Sequence, residues 1–382
     1  MAASRIGPTE LSLPDKLRHL NWPFVAIVIL VALVGYAMLY SAAGGAHGPW
    51  AWRHSVRFGI GLTAMLVIAL IDIRFWFRFA YPIYAAALLG LIAVEVIGSV
   101  GMGAQRWINL GLFQLQPSEI MKLGLVMALA RWFHGAWLED IARPTFLVMP
   151  VLLIAAPAML VLKQPDLGTA IMLAGGGAAL LFLAGVRWWK FALVLGPVLL
   201  ALPLLWQQLH DYQKKRVMTF VDPERDPLGA GYHIIQSKIA LGSGGLWGKG
   251  FLQGTQSQLS FLPEKHTDFI FTMLAEEIGL VGALGLLALF MLLVGAGVVF
   301  ALRARSQFAR LLAMGVTSTF FLYIVINIAM VTGLIPVVGV PLPMISYGGT
   351  AMITVLIGFG LLLSIDIHRD VAIPRFPVDR DR

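Results

Sequence analysis

Ionisable side chains lie directly beside long apolar runs at three places in the sequence. Each place holds a carboxylate with a lysine nearby: Glu119 with Lys122, Asp166 with Lys163, and Asp268 with Lys265. A charged side chain at membrane depth is costly, so such residues are usually functional. A carboxylate can accept a proton from a hydroxyl group as a general base, and lysine can stabilise a leaving phosphate. The three groups therefore suit chemistry on a lipid-linked anion, or its transport.

Two of these pairs also have local explanations. Pro117 suits the first turn of a helix, where the helix dipole favours the carboxylate of Glu119. Lys122 lies three residues further on and shares the same face, so a self-contained pair at the interface is the alternative to a functional one. Asp166 follows a proline in a short predicted loop, and an ordinary turn with a local ion pair to Lys163 is the simpler interpretation.

The segment around Asp268 predicts an opening into a wet cavity. The stretch FLPEKHTDFIF at 261–271 places polar residues, including Lys265 and His266, between apolar ones. The apolar residues that follow Asp268 are too few to cross a bilayer core of about 30 Å. Irregular backbone at membrane depth persists only where it lines protein or water. We therefore expect a partial entry at 269–275 with Asp268 at its mouth, the alternative being loop polarity without function.

Further cations lie near the predicted ends of the apolar runs. Arg53 and Arg57 are four residues apart and share a helical face, but beside Trp50 they could also be anchors at the membrane interface. Lys249 lies in the glycine-rich stretch GSGGLWGKG at 242–250. The glycine spacing and the missing Ser or Thr after the lysine exclude a nucleotide-binding P-loop. Lys249 is thus a candidate contact for a phosphate within an otherwise flexible loop.

The composition predicts a membrane protein. Apolar residues make up 59% of the 382-residue chain and charged residues only 13%, where a soluble protein carries about a quarter. The absence of cysteine excludes disulfides, thiol nucleophiles and cysteine-based metal sites. The eight histidines show no paired ligand spacing, so no metal site is predicted. We interpret the formal charge of +8 as bias in the cytoplasmic loops rather than as a signal for nucleic acid.

The elements that must position these residues are membrane helices. We expect an all-α polytopic protein with a single membrane domain at 22–366, between tails at 1–21 and 367–382. About ten transmembrane helices are predicted from the apolar runs, at residues 22–41, 55–72, 80–99, 117–133, 145–162, 168–186, 190–206, 278–302, 310–333 and 347–366.

The distribution of lysine and arginine predicts the orientation. These residues are concentrated in alternate loops, which places both termini in the cytoplasm. A large extracytoplasmic loop at 207–277 then joins helices seven and eight. Glu119, Asp166 and Asp268 all fall on the outer side, where the predicted site would lie.

Four stretches together resemble the SEDS family (shape, elongation, division and sporulation), and they occur in that family's order. They are QPSEIMKL at 116–123, KQPDLGTA at 163–170, FLPEKHTDFIFTMLAEEIG at 261–279 and PLPMISYGGTAM at 341–352. The resemblance covers nearly the whole chain, including the ten spans and the large outside loop. The stretches TMLAEE and PLPMISYGGTA are more similar to the elongation members, of the RodA type, than to the division members, of the FtsW type.

The resemblance implies a peptidoglycan glycosyltransferase of the bacterial cytoplasmic membrane, active during cell elongation. Such enzymes polymerise lipid II, an undecaprenyl-pyrophosphate-linked disaccharide-pentapeptide, on the periplasmic side. They work with a class B penicillin-binding protein, a transpeptidase, and with the elongation machinery. The expected partners are therefore these proteins, lipid II and membrane lipid, with no nucleic acid.

The resemblance also assigns roles to individual residues. The family's essential aspartate matches Asp268, the predicted general base for the acceptor hydroxyl. The predicted contacts for pyrophosphate are Lys122, Lys249 and Arg53, with Arg57 as the alternative match for the arginine. Glu119 is expected to position Lys122, and Asp166 is expected to brace the outer mouth. Lys265 and His266, beside the base, complete the predicted substrate-binding residues. No cofactor is predicted, although a divalent cation such as Mg²⁺ could bridge the pyrophosphate and acidic residues.

The residue chemistry alone leaves other function classes open. A flippase would need the same cations to bind the lipid head group. A proton-coupled transporter would use the carboxylates as a relay. A scaffold that only activates the transpeptidase would need no chemistry of its own. An assay of polymerisation by an Asp268→Asn variant separates the enzyme from these alternatives.

Overall fold

The computed structural model describes residues 12–101, 104–109, 111, 114–208, 214, 218–220, 222, 230–258 and 264–375. The ends of both predicted tails and parts of the predicted loop at 207–277 lie outside the described residues. The described chain is mostly helical. Its helices are α1 Leu13–His19, α2 Trp22–Ala42, α3 Ala51–Leu70, α4 Ile73–Ile97, α5 Pro117–His134, α6 Leu138–Ala142, α7 Pro144–Lys163, α8 Leu167–Leu183, α9 Trp188–Gln208, α10 Ala230–Ser243, α11 Thr255–Gln258, α12 Ile270–Arg303, α13 Gln307–Val331 and α14 Gly349–Ile367.

The ten longest helices of the described residues overlap the ten predicted spans, with starts that differ by up to eight residues. Seven of them are long and apolar enough to cross a membrane. The others fall short for visible reasons: α5 carries three charged residues, and α8 and the apolar part of α9 are shorter. Large apolar side chains face outward, with Val96 79% and Leu200 82% exposed, which suits a surface covered by lipid. The chain is therefore a multi-pass membrane protein.

A small antiparallel sheet corrects the all-α expectation. Strands β1 Ser99–Gly101, β2 Ala104–Asn109 and β3 Gln114–Leu115 pair in the order β1-β2-β3 between α4 and α5. The sequence reasoning treated this connection as a plain loop because the strands are too short to show a clear alternation. The sheet matters for the site because β2 carries Arg106 to the N-terminal end of α8.

Helices α5 and α14 lie at the centre of the bundle. Almost every residue of α5 is buried, and the helix packs against α4, α7, α8, α13 and α14. Its close approach to α4 depends on Gly124, where a Cβ would lie 3.2 Å from the Cα of Tyr84. Charged residues on α5 therefore face protein rather than lipid or water, and they need partners within the bundle.

Helix α12 is broken near its N-terminal end, and the glycine-rich loop supplies backbone hydrogen bonds at the break. Gly279 has φ 74° and ψ −169°, values that end the helical hydrogen-bond pattern. Four backbone hydrogen bonds of 3.0–3.1 Å join the loop to the break: Leu280 N–H to Gly245 O, Val281 N–H to Leu246 O, Lys249 N–H to Glu276 O and Gly250 N–H to Glu277 O.

The same contacts correct two expectations about the large loop. A Cβ at Gly248 would lie 2.2 Å from the carbonyl oxygen of Glu277, so the loop glycines permit close packing rather than flexibility. Residues 270–277, which follow Asp268, are all buried within the protein. They are already helical from Ile270, so the irregular loop ends earlier than the predicted boundary at residue 277.

Candidate active site

The four motifs of the sequence meet at one end of the helical bundle. This end holds the N-termini of α3, α5, α8, α12 and α14, and the connecting segment 334–348 lies between them. A Cβ at Gly168 would lie 2.5 Å from the carbonyl oxygen of Val338, which shows how closely α8 packs on this segment. Thr350 Oγ1 donates to Gln116 Oε1 at 3.4 Å and so joins α14 to the start of α5. A helix N-terminus favours an anionic ligand, and five helices begin at this end of the bundle.

Asp268 is half-buried and is held through its main chain. The side-chain amide of Asn327, on α13, donates to the carbonyl oxygen of Asp268 at 3.0 Å and to that of Val340 at 2.8 Å. The carboxylate lies against Gly339, where an added Cβ would be 3.5 Å from Asp268 Oδ2. Gly339 has φ +72°, a conformation that L side chains rarely adopt. Asn327 therefore ties the segment that carries the carboxylate to segment 334–348.

An aromatic group holds His266 beside Asp268. The His266 ring stacks on Trp50 with centroids 4.4 Å apart and an interplanar angle of 14°, and the Tyr347 ring lies 6.1 Å away. Tyr347 N–H also donates to the carbonyl oxygen of His266 at 2.8 Å. Burial lowers the pKa of His266, although the charge of Glu264 acts in the opposite direction. The imidazole is therefore mainly neutral at neutral pH.

Arg57, rather than Arg53, contacts this aromatic group. The Arg57 guanidinium lies over the Tyr347 ring, 4.8 Å from its centroid. It also packs on Gly349 at the start of α14, where a Cβ would be 3.0 Å from Arg57 Cζ. Arg53 is exposed one helical turn earlier on α3. The geometry therefore favours the alternative match, Arg57, as the arginine of the site.

Glu119 and Lys122 form the predicted pair, and a tyrosine completes it. Lys122 Nζ lies 2.7 Å from Glu119 Oε1, and both side chains are buried. Tyr323, on α13, donates to Glu119 Oε2 at 2.8 Å and accepts a hydrogen bond from Lys122. The shared helical face of Glu119 and Lys122 is thus confirmed. The pair is enclosed by protein, however, and is not the surface pair of the simpler interpretation.

Asp166 pairs with the sheet and not with Lys163. Its carboxylate caps α8, accepting from the Thr169 N–H at 3.2 Å and from Thr169 Oγ1 at 2.9 Å. Arg106 Nε lies 3.6 Å from Asp166 Oδ2, and Arg106 Nη2 donates to the carbonyl oxygen of Pro165 at 2.5 Å. The interpretation as a local pair with Lys163 is therefore wrong. Asp166 joins α8 to the strand that carries Arg106.

The carboxylates at the start of α12 hold the large loop. Glu276, fully buried, accepts from Lys249 Nζ at 2.8 Å and also from Thr255 Oγ1 and the Gln256 N–H. Ser41 Oγ donates its single proton to the Glu277 carboxylate, whose two oxygens lie 2.6 and 2.8 Å from it. Lys249 is therefore paired in this structure and is not the unpaired cation that the sequence suggested.

Lys265 lies near the same carboxylates. Burial lowers the pKa of Lys265, while the charge of Glu277 acts in the opposite direction. Among the described residues, no three His, Cys, Asp or Glu side chains come together as metal ligands.

Three residues of the site escaped the sequence reasoning: Tyr323, Asn327 and Tyr347. Asn327 had a visible signal, because an amide inside a long apolar run needs partners within the protein. Tyr323 lies one helical turn earlier on the same face of α13. That face thus links the Glu119 pair to the Asp268 segment.

Comparisons with known proteins agree with this arrangement. A family model described as "Cell cycle protein" (FtsW/RodA/SpoVE) matches residues 20–371. The chain is 46% identical to the peptidoglycan glycosyltransferase MrdB of Escherichia coli over 95% of this chain and 97% of the relative. It is 36% identical to the probable peptidoglycan glycosyltransferase FtsW of Trichlorobacter lovleyi over 92% of this chain and 94% of the relative.

Solved structures give the same result. A chain from a peptidoglycan synthase complex that coordinates polymerization and crosslinking has a TM-score of 0.80 and 35% identity, covering 92% of this chain and 98% of its own. The Thermus thermophilus rod shape determining protein RodA has a TM-score of 0.69 and 32% identity, covering 92% and 97%. The higher identity to MrdB than to FtsW confirms the elongation type that the motifs predicted. The chain belongs to the FtsW/RodA/SpoVE family of cell cycle proteins, the SEDS family that its four motifs resemble.

Proposed function

We propose that the chain is a peptidoglycan glycosyltransferase that polymerises lipid II on the outer face of the cytoplasmic membrane during cell elongation. The relatives support the reaction class, since the MrdB relative is named a peptidoglycan glycosyltransferase and the FtsW relative a probable one. The convergence of the four motifs at one end of the bundle supports a single site for it.

One observation carries the mechanism: a half-buried carboxylate held by its main chain beside Gly339, at the end of the bundle where five helices begin. In the proposed step, Asp268 takes the proton from the 4-hydroxyl of the acceptor sugar. The oxygen then bonds to the anomeric carbon of the donor, and the bond from that carbon to pyrophosphate breaks. A general base of this kind contributes roughly 10²–10⁴ in rate. Its fixed main chain keeps the carboxylate oriented between turnovers.

The leaving pyrophosphate needs positive charge on the same side. Arg57 is the first candidate because its guanidinium lies on Tyr347, next to the Asp268 segment. Arg53, one turn further out, and Lys265 extend the positive surface. The helix N-termini add partial positive charge without a side chain.

The paired lysines contribute indirectly in this proposal. Lys122 remains paired with Glu119 and Tyr323, and Glu119 fixes its position. The positive charge of Lys122 acts on the pyrophosphate without direct contact. Lys249 reaches pyrophosphate only by exchanging its contact with Glu276. Asp166 braces the outer mouth through Arg106. A divalent cation such as Mg²⁺ that bridges pyrophosphate and acidic residues would be brought by the substrate.

The proposed orientation has ten helices crossing the membrane, both termini in the cytoplasm and the site on the periplasmic side. It is supported by the many cations at the opposite end of the bundle. There Lys16, Arg131 and Lys190 donate to backbone carbonyls at helix ends, as expected of cytoplasmic loops. A class B penicillin-binding protein and the elongation machinery are the proposed partners, because a similar chain occurs in a peptidoglycan synthase complex.

The test is polymerisation of lipid II by an Asp268→Asn variant purified in complex with the transpeptidase. We expect a loss of at least a hundredfold, from the contribution of a general base. Glu95→Gln is the matched control, because Glu95 is an exposed carboxylate at the same end of the bundle. Wild-type glycan length from Asp268→Asn would exclude this assignment. Protein-dependent scrambling of labelled lipid II in liposomes, unaffected by Asp268→Asn and without polymerisation, would point to a flippase instead.

A further inference from the structure

The end of the bundle opposite to Asp268 contains a cleft lined by arginines. Its volume is about 240 Å³, and its charged lining residues are Arg305, Arg310 and Arg375. They come from three separate segments: the link between α12 and α13, the first turn of α13, and the chain after α14. No Asp or Glu occurs among the described residues that line it. Bias toward cations in cytoplasmic loops explains why arginines occur here, but not why they converge on one cleft.

A buried histidine builds the floor of this cleft. His134, at the end of α5, is only 2% exposed. Its Nδ1 accepts a hydrogen bond from the Phe308 N–H at 3.1 Å, so the ring proton is on Nε2, which lies 3.3 Å from the carbonyl oxygen of Pro374. One ring thus holds α5, α13 and the segment after α14 together. Because the ring joins these elements, the fold fixes the positions of the segments that carry the arginines.

The cleft lies at the end of the bundle where several apolar helices begin or end, and exposed tryptophans occur at the same end. Ser306 caps the start of α13 at this end, and its Oγ accepts from the Ala309 N–H at 3.2 Å. Of these tryptophans, Trp137 and Trp188 are 55% and 73% exposed, as is typical of residues at a membrane interface. The Arg375 guanidinium lies over the Trp137 ring, 4.6 Å from its centroid. A ligand in the cleft would thus contact both water and the membrane surface.

We propose that this cleft binds the phosphate of an anionic phospholipid from the leaflet opposite to the Asp268 site. Guanidinium groups bind phosphate oxygens through paired N–H donors, and basic pockets between membrane helices suit anionic head groups. One molecule in liquid water occupies roughly 30 Å³, and the volume of the cleft is about eight times as large. A phosphodiester with part of its glycerol therefore fits. The bound lipid would bridge α5, α13 and the C-terminal segment.

The test measures retention of phosphatidylglycerol by the purified full-length protein, using native mass spectrometry in detergent. Phosphatidylcholine provides the comparison lipid of no net charge. Each guanidinium near a membrane surface contributes roughly fivefold in affinity. We therefore expect the double variant Arg305→Gln/Arg310→Gln to bind phosphatidylglycerol about 25-fold more weakly. Arg187→Gln is the matched control, since Arg187 is exposed at the same end without lining the cleft.

Arg310→Lys gives a second measurement that leaves the net charge unchanged. Lysine cannot form the paired contact, so we expect affinity between those of the wild type and the double variant. Equal retention by the double variant and the wild type would overturn the proposal. So would displacement of the lipid by millimolar inorganic phosphate, which would indicate a soluble anion.

Discussion

Asn327 is the residue through which the structure predicts control of the Asp268 segment. Its amide is fully buried, and its Nδ2 donates to two carbonyl oxygens, those of Asp268 and Val340. We expect Asn327→Ala to free the segment, because both acceptors lose their buried donor. Two neutral hydrogen bonds contribute about 2 kcal/mol together, which corresponds to roughly a thirtyfold loss of correctly positioned carboxylate.

The assay is steady-state polymerisation of lipid II by the purified complex, with thermal unfolding measured in parallel. Asn327 does not contact substrate in the proposed mechanism, so kcat should fall about thirtyfold while KM changes little. Thr332→Ala is the matched control, because Thr332 Oγ1 shares its single proton between two carbonyl oxygens, at 2.7 and 3.2 Å, and both acceptors belong to α13. It should retain nearly full kcat.

Two results would refute this reasoning. One is a folded Asn327→Ala variant with kcat within twofold of the wild type. The other is an equal loss of kcat in Thr332→Ala, which would show that any lost hydrogen bond on α13 has the same effect. A fall in kcat that only follows a fall in the unfolding temperature would indicate a structural role alone.

Four further predictions concern other parts of the site. Arg57→Gln should reduce polymerisation more than tenfold, from loss of a charged contact with phosphate, whereas Arg53→Gln should stay within about threefold; the reverse order would contradict the geometry. Tyr323→Phe should lower the free energy of unfolding by about 1.5–3 kcal/mol, since the lost hydroxyl bonds to charged groups, measured by denaturant titration in detergent. Glu276→Gln should speed proteolytic cleavage of the large loop several-fold, because its charge-assisted contact is roughly twice as strong as a neutral one; an unchanged rate would show that backbone contacts alone hold the loop. Burial lowers the pKa of His266 below its ordinary 6.5, so the unfolded chain binds a proton more readily than the folded chain. Stability should therefore fall as the pH drops below about 6.5. In measurements of unfolding temperature against pH, His266→Asn should make this fall smaller.

The sequence was sufficient for the helices because their signal is local. Each long helix contains a run of apolar residues, and the ten longest helices overlap the ten predicted runs. The sheet around Arg106 was missed because its strands of two to six residues carry too little periodicity. Near the break at Gly279, the sequence predicts only a partial entry. Nothing in the neighbouring sequence shows that a distant glycine-rich loop supplies the missing hydrogen bonds.

The sequence by itself determined that this is a membrane protein of many helices, and which short motifs carry its ionisable residues. It could not determine what those residues contact. Asp166 has Lys163 as its sequence neighbour, yet Arg106 from the sheet is its partner. Tyr323 meets Glu119 from 204 positions away. Such pairs depend on which helix faces pack together, and that choice is made by the whole bundle at once, through close contacts such as the one at Gly124. Apolar periodicity fixes where a helix lies along the chain, but only tertiary packing decides which buried charge lies beside which donor.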